Sequence, residues 1–263
     1  MKKLALAVAA IAAFTGSALA ADLPAAPVYS KAPVMPAPVY NWTGFYLFGG
    51  FGFGTWAADE TTQVTATGAC LACIQQRQGG AGWYGTVGAG YDWQVNSGWV
   101  VGILADGQFG SIRGSIVDPF QQGASFGNIK MQDAYAAGAR VGYLVAPNVL
   151  SYVNAGYSGS HWSGTNWVSA FTGNPNNVAT ASFNRNGWFL GGGVENNLNI
   201  FGITAPGLFM KTEYRASYFG GVTLPETVAG IPDGESVTFK PFVQTISTSL
   251  VYRFNWTGPV VAK

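Results

Sequence analysis

Residues 242–256 read Phe242-Val243-Gln244-Thr245-Ile246-Ser247-Thr248-Ser249-Leu250-Val251-Tyr252-Arg253-Phe254-Asn255-Trp256, and their order decides the fold class. Phe242, Ile246, Leu250, Tyr252, Phe254 and Trp256 share one parity; Thr245, Ser247, Ser249, Arg253 and Asn255 share the other. A period of two sets these groups on opposite faces of a β-strand. The stretch 82–95 repeats the arrangement, with Trp83, Val87, Ala89, Tyr91, Trp93 and Val95 against Tyr84, Thr86, Asp92 and Gln94. In a soluble sandwich the apolar set would be the core. Here the polar sets are thick with glycine, which suits a crowded interior better than a solvated surface, so the apolar sets are assigned to lipid.

Eight such stretches lie along the chain, near 41–56, 82–95, 99–112, 131–145, 149–162, 182–198, 207–221 and 237–256. Each exceeds the roughly 9–11 residues a tilted strand needs to cross the hydrocarbon layer. The parity of the fifth is ambiguous. The connections alternate: Asn96-Ser97-Gly98 and Ala146-Pro147-Asn148 are tight, Asn199 to Pro206 is moderately short, and the links near 57–80, 115–130, 163–181 and 222–236 are long and polar. Short periplasmic turns and long outer loops characterise membrane barrels, and an even strand number puts both ends on the periplasmic side. The fold class read from the sequence is therefore all-β, an eight-stranded antiparallel up-and-down transmembrane β-barrel over 41–256.

Composition agrees. Only 10% of the 263 residues are charged, against roughly 25% in an average soluble domain. With 13 basic and 12 acidic residues the chain lacks the basic face that a nucleic-acid partner requires. No second apolar run reaches the ~18 residues of a membrane helix, and a closed barrel is the other way to satisfy every backbone group in lipid. At the start of the chain, Lys2 and Lys3 precede an apolar run from Leu4 to Phe14 and the small-residue site Ala18-Leu19-Ala20. This is a signal-peptide pattern over 1–20, with cleavage expected between Ala20 and Ala21. Residues 21–40 carry Pro24, Pro27, Pro33, Pro36 and Pro38 and read as an extended periplasmic tether; 257–263 is a short tail. Aromatics cluster at strand ends, with Tyr40, Trp42, Trp93, Trp99, Tyr143 and Trp256 expected at the inner rim and Trp56, Trp83, Trp162, Trp188 and Tyr218 at the outer one, as two interfacial girdles.

Parity also sorts the charges. Asp92, Asp106, Glu195 and Glu213 point inward with Arg140, Lys211, Arg215 and Arg253. A basic residue at mid-membrane on the lipid face costs about 2–4 kcal/mol, and eight strands leave an interior just wide enough for side chains. Four acids and four bases in such a lumen are expected to pair as a plug, with a narrow solute pore lined by the same ions as the competing reading. An outer-rim lipid or peptide hydrolase is a third class. The single histidine, His161, lies beside Ser160, but neighbours on a strand face opposite ways, so the two cannot act together; His161 reads as a rim residue, and alone it makes haem binding a weak reading. Cys70 and Cys73 form a C-x-x-C in the first outer loop. A loop-stiffening disulfide is the plain reading in an oxidising compartment, beside free thiols, metal binding or redox work, for which two further ligands or a βαβ setting are missing. Gly50-Phe51-Gly52-Phe53-Gly54 sits within a strand and is no phosphate cradle. Asn-Trp-Thr-Gly occurs at 41–44 and again at 255–258; both copies match a glycosylation acceptor, but they fit better as a matched closure of the first and last strands.

These residues carry a resemblance. Ala21-Asp22-Leu23-Pro24, the proline-rich segment, Pro38-Val39-Tyr40-Asn41-Trp42-Thr43-Gly44-Phe45-Tyr46 and the ending Tyr252-Arg253-Phe254-Asn255-Trp256 resemble the alphaproteobacterial small outer-membrane β-barrel proteins, a porin-family, opacity-type, OmpA-like group. The resemblance implies a barrel without a peptidoglycan-binding domain, a place in the Gram-negative outer membrane, and roles in envelope integrity and surface exposure, as surface antigens. It implies no catalytic residues and no cofactor; haem binding or porin activity is claimed for some members. Expected partners are outer-membrane lipids, lipopolysaccharide and the barrel-assembly machinery, with nothing in the sequence supporting a particular oligomer. Members tend to end on an aromatic, whereas this chain ends Val261-Ala262-Lys263.

Overall fold

The computed structural model describes residues 41–71, 73–118, 124–146, 148–200 and 203–254, with the backbone alone at 199–200 and 203–205. The signal segment 1–20, the cleavage pair Ala20 and Ala21, the tether 21–40, the tail 257–263 and the rim residues Tyr40, Asn255 and Trp256 lie outside these.

Among the described residues the chain forms eleven antiparallel strands: β1 Gly44–Val64, β2 Gln76–Gln94, β3 Trp99–Val117, β4 Ser125–Ala146, β5 Val149–Trp162, β6 Thr165–Ser169, β7 Pro175–Thr180, β8 Phe183–Ile200, β9 Ile203–Phe219, β10 Val222–Val228 and β11 Ile231–Arg253. Eight of them, β1-β2-β3-β4-β5-β8-β9-β11, form a ring closed by β1 on β11, in register from Tyr46↔Arg253 to Val64↔Glu235. Closure leaves no edge strand, the condition for spanning lipid with sheet. No helix among the described residues is long and apolar enough to cross a membrane.

The period-two pattern puts Phe51, Val87, Ile103, Val153, Leu190, Ile246 and Leu250 on the outer wall. The fifth strand, unreadable by parity, exposes Val153 and Tyr157 and buries Tyr152, Asn154 and Ser158. Aromatic pairs mark both borders of the apolar band: Trp99 with Tyr143 (ring centroids 5.3 Å apart) and Phe45 with Phe254 (5.6 Å) at the end bearing the short turns, Trp188 with Tyr218 (4.3 Å) and Phe53 with Trp83 (5.3 Å) at the other. The short turn after β2 is built by Asn96, whose Oδ1 accepts from the N–H groups of Gly98 (2.9 Å) and Trp99 (2.8 Å), the local bond that makes asparagine a turn residue.

Two expectations are corrected. Trp42, Trp56 and Trp162 are not girdle residues; all three are buried inside the barrel. They carry the inward parity of their strands, which outweighs nearness to a strand end. The long polar links are likewise largely strand. β1, β2 and β3 continue past the outer girdle, and β6, β7 and β10 take the places of β5, β8 and β9, so a second ring of eight, β1-β2-β3-β4-β6-β7-β10-β11, stands on the first. β4 and β11 make the exchange by changing neighbours along their length. Inward alternation persists there, as Trp56, Ala58, Glu60 and Thr62 show. Outward positions turn polar, with Asp59 between Arg77 and Lys240, because water replaces lipid. A reading that ends a strand where outward apolar residues stop therefore ends it too early.

Val87 and Leu250 both stand opposite Gly49, midway between the aromatic borders. Val87→Arg is expected to cost about 2–4 kcal/mol, measured by denaturant unfolding of the barrel from lipid vesicles. A change below 1 kcal/mol would mean that the face does not meet hydrocarbon.

Candidate functional site

Inward-facing residues of the eight ring strands make up the lumen, and they sort into layers along its length. The layer nearest the short turns joins four strands. Arg140 on β4 donates to Asp92 on β2 through Nε (2.8 Å) and Nη2, and to Glu195 on β8 through Nη1 (3.1 Å). Arg253 on β11 donates through Nε to Glu195 (2.8 Å) and through Nη2 to Asp92 (2.8 Å), while its Nη1 reaches the Trp42 carbonyl (3.2 Å). Each carboxylate thus takes both guanidinium groups, and no member is more than 4% exposed. Planar, always-charged guanidinium suits this geometry, since it bonds in its plane and presents its faces to rings. Arg140 lies 4.4 Å from the Tyr46 ring centroid and 5.0 Å from that of Tyr152; Arg253 lies 4.5 Å from Trp42.

A second ionic layer follows. Arg215 on β9 holds Asp106 on β3 with two bonds (3.0 and 2.8 Å) and Glu213 with a third (2.7 Å). The other oxygen of Glu213 accepts from Tyr152 Oη (2.8 Å) and Asn154 Nδ2 (3.0 Å) and lies 3.7 Å from Lys211 Nζ. Lys211 also sits 3.3 Å over the Phe48 ring, and Arg215 4.4 Å over Phe189. All eight ions expected in the lumen lie there, gathered into two clusters by residues from β2, β3, β4, β8, β9 and β11. Glycines make room: a Cβ on Gly52 would fall 2.7 Å from Tyr84 Oη, closer than any unstrained contact.

Beyond the ions the lumen turns apolar. Trp56, Ile112, Ile116, Ile129, Trp162, Trp167, Leu224 and Phe239 pack as one cluster, with Trp56 edge-on to Trp162 at 5.7 Å. One layer further out, at the next inward positions of β1, β10 and β11 and just past the end of β3, stand Glu60, Glu226, Glu235 and Asp118. The expectation of balanced inward charge missed these acids, because residues past the outer girdle were taken for loop. The available signal was parity itself: Glu60 is four residues from Trp56, and Glu226 two from Leu224. Equally missed were Trp42, Tyr46 and Phe209, which flank guanidinium groups, and Phe48, which underlies the Lys211 ammonium; all share inward parity.

Glu60 lies beyond the membrane span and is 0% exposed. Its Oε2 accepts from Gln78 Nε2 (2.8 Å), while Oε1 has no partner among the described residues. Burial, with Asp118 nearby, pushes its carboxyl from 4.5 up to about 8. His161 faces outward, its Nδ1 3.3 Å from Asp133 Oδ2; Ser160 faces the lumen, accepting from Trp162 Nε1 (2.9 Å) and donating to the Arg185 carbonyl (3.3 Å). The two point to opposite faces. Cys70 and Cys73 are joined as a disulfide across a Cα separation of 4.9 Å, in the β1–β2 connection.

Two outcomes follow. Arg140→Ala strands the buried Asp92 and Glu195 beside one remaining guanidinium, and is expected to cost about 3–5 kcal/mol in denaturant unfolding. Asp92→Asn added to it should recover part of that loss, since it removes an unpaired charge. For Glu60 the sign is set by its raised value: the folded ring favours the protonated form, so its contribution is complete below about pH 4.5 and is lost as pH rises through about 8. Hydrogen exchange in β1 beyond Trp56 should therefore quicken between about pH 5 and 8 by more than the intrinsic rate, and Glu60→Gln should flatten that excess.

Comparison with known proteins agrees with this geometry. Residues 6–254 match the family described as outer membrane protein beta-barrel domain. The 31 kDa outer-membrane immunogenic proteins of Brucella melitensis biotype 1 and Brucella suis biovar 1 are each 26% identical over 263 residues, covering 94% of this chain and 98% of their own. Among solved structures, the outer membrane protein OprG of Pseudomonas aeruginosa aligns with a TM-score of 0.50 at 9% identity, over 83% of this chain and 100% of that one, a likeness of fold alone. A closed ring of eight strands, a lipid-facing apolar band and a family match over nearly the whole length lead to one assignment: this chain belongs to the outer-membrane β-barrel protein family and resides in the outer membrane of a Gram-negative bacterium.

Proposed function

We propose that the barrel is a structural component of the outer membrane, closed to solutes, which supports the envelope and presents its outer ring to the surroundings. The observation that carries this reading is the filling of the lumen at successive levels by large buried side chains: Trp42, Tyr46 and Arg140 at one, Phe189 in the middle, Trp162, Trp167 and Phe239 beyond. Eight strands enclose a space about one layer of side chains wide, so each level obstructs the passage. A path for ions would have to part guanidinium–carboxylate pairs that are bonded at both ends, and then cross the predominantly apolar stretch around Trp56, Trp162 and Phe239. The outer ring supports the second half of the proposal. It carries the polar outward residues, and the Brucella relatives are named for being immunogenic, which suits a surface within reach of antibodies. Outer-leaflet lipid and lipopolysaccharide are the neighbours of the apolar band in this reading. It assigns the barrel no chemical step, consistent with Ser160 being engaged inside the lumen and His161 lying outside it.

Planar lipid bilayers test the proposal. Purified full-length barrel is expected to give no sustained unitary conductance at moderate voltage. Arg140→Ala combined with Trp162→Ala, which thins two levels at once, should raise the frequency of brief openings. Stable channels from the unaltered protein would end the closed-barrel reading and favour a narrow pore.

A further inference from the structure

The carboxylates at the outer mouth have no part in the closed lumen below them. Their placement follows from a break in one ladder. β10 and β11 pair in register from Val222↔Phe239 to Pro225↔Ser236 and resume at Thr227↔Pro232. Glu226 alone therefore stands opposite three residues, Asp233, Gly234 and Glu235. Gly234 turns the bulge with φ of +88°, a conformation that suits glycine. Asp233 Oδ1 accepts from the Glu235 N–H (2.9 Å), and the Gly234 carbonyl accepts from the Thr65 N–H (2.8 Å), which pins the bulge to the end of β1. Bulges of this kind re-aim side chains. Here one carboxylate oxygen from each of Glu226, Asp233 and Glu235 comes within 4.8 Å of the others.

Three acids so close call for a cation, and the chain does not provide one: among the described residues, none of the three is in a salt bridge with Lys, Arg or His. Nor is Glu226 relieved by solvent. It is 3% exposed, and its Oε1 has no hydrogen-bond partner among the described residues. The neighbouring groups in the layer, Asp118 and Glu60, are acidic too. A buried carboxylate oxygen without a donor is costly unless something positive completes it.

We propose that Glu226, Asp233 and Glu235 form a binding site for one hard divalent cation, of which Ca2+ is the best fit. The donor set is all oxygen, which selects hard ions over the thiolate- and imidazole-loving metals. Ca2+ holds oxygens at about 2.3–2.6 Å and so bridges a pair up to about 5 Å apart, whereas Mg2+ at about 2.0–2.1 Å spans only about 4.2 Å. The ion would tie β10 to β11 at the outermost part of the second ring, where the ladder is interrupted. Two ligands lie near the surface, so solvent water can complete the shell.

Calorimetric titration of CaCl2 into the full chain, folded in detergent micelles and stripped with chelator, tests the site. One equivalent should bind saturably, with a dissociation constant on the order of 10⁻⁵–10⁻³ M, and MgCl2 should bind at least several-fold more weakly. The double variant Asp233→Asn/Glu235→Gln should weaken Ca2+ binding tenfold or more. Asp59→Asn, which removes an acid from the outward face, should leave it unchanged. Heat-dependent mobility in detergent gels verifies that each variant remains a folded barrel. As a second readout, Ca2+ should slow proteolytic cleavage at the 229–235 hairpin in the unaltered protein and not in the double variant. Absence of saturable binding, or equal binding by the double variant, would overturn the site while leaving the closed-barrel reading untouched.

Discussion

Hydrocarbon offers no hydrogen bonds, so each N–H and C=O that enters the membrane must find its partner within the protein. For a sheet this means closure, and closure by β1 on β11 sets the rest of the molecule. Eight strands fix a lumen about one side chain across. In that space nothing inward-facing is neutral to the fold: an aromatic fills a level, a glycine opposite admits it, and an ion must meet its counterion. The crowding is what pairs Tyr46, Phe48 and Tyr84 with glycines on neighbouring strands.

The same confinement explains how the ions are used. A lone buried charge is far costlier than a paired one, and pairing compensates only when the geometry is good and the remaining donors are also met. Here arginine does most of the joining. Its fork spans two carboxylates on different strands, and its faces rest on Tyr46, Tyr152, Trp42 and Phe189. Lysine appears once, over Phe48 and beside Glu213. The clusters tie together strands distant in sequence, so they also help to pin the register that backbone bonding alone leaves open to slippage.

Past the outer girdle the solvent changes and the wall does not. β4 and β11 keep their direction while exchanging β5 and β9 for β6 and β10, so the loops become a continuation of the barrel. Water on the outside permits Asp59, Arg77 and Lys240 there. Inside, the apolar cluster around Trp56 and Trp162 lies between the ionic layers and the mouth, where Glu60, Asp118, Glu226 and Glu235 gather. The lumen thus runs from balanced charge through an apolar stretch to a layer of carboxyl groups.

Much of this was legible along the chain. Two-residue alternation in 242–256 and 82–95 named the lipid face, the count of such stretches set the ring at eight, and parity alone put Asp92, Asp106, Arg140, Glu195, Lys211, Glu213, Arg215 and Arg253 on the inner one. These are local properties: a strand's faces follow from the pleat, and lipid punishes the wrong residue wherever it sits. The parts that escaped are non-local. Whether Arg140 bonds Asp92 or Asp106 depends on the stagger between strands, which no single strand encodes. Whether Trp56 and Trp162 anchor at a membrane border or fill the lumen depends on which wall their parity faces once the ring is closed. The second ring depends on β6, β7 and β10 finding partners far off in sequence, and the meeting of Glu226 with Asp233 and Glu235 depends on a slipped ladder. Alternation is written residue by residue; neighbours across a barrel are assigned by closure and register, and those exist only once the sheet has met itself.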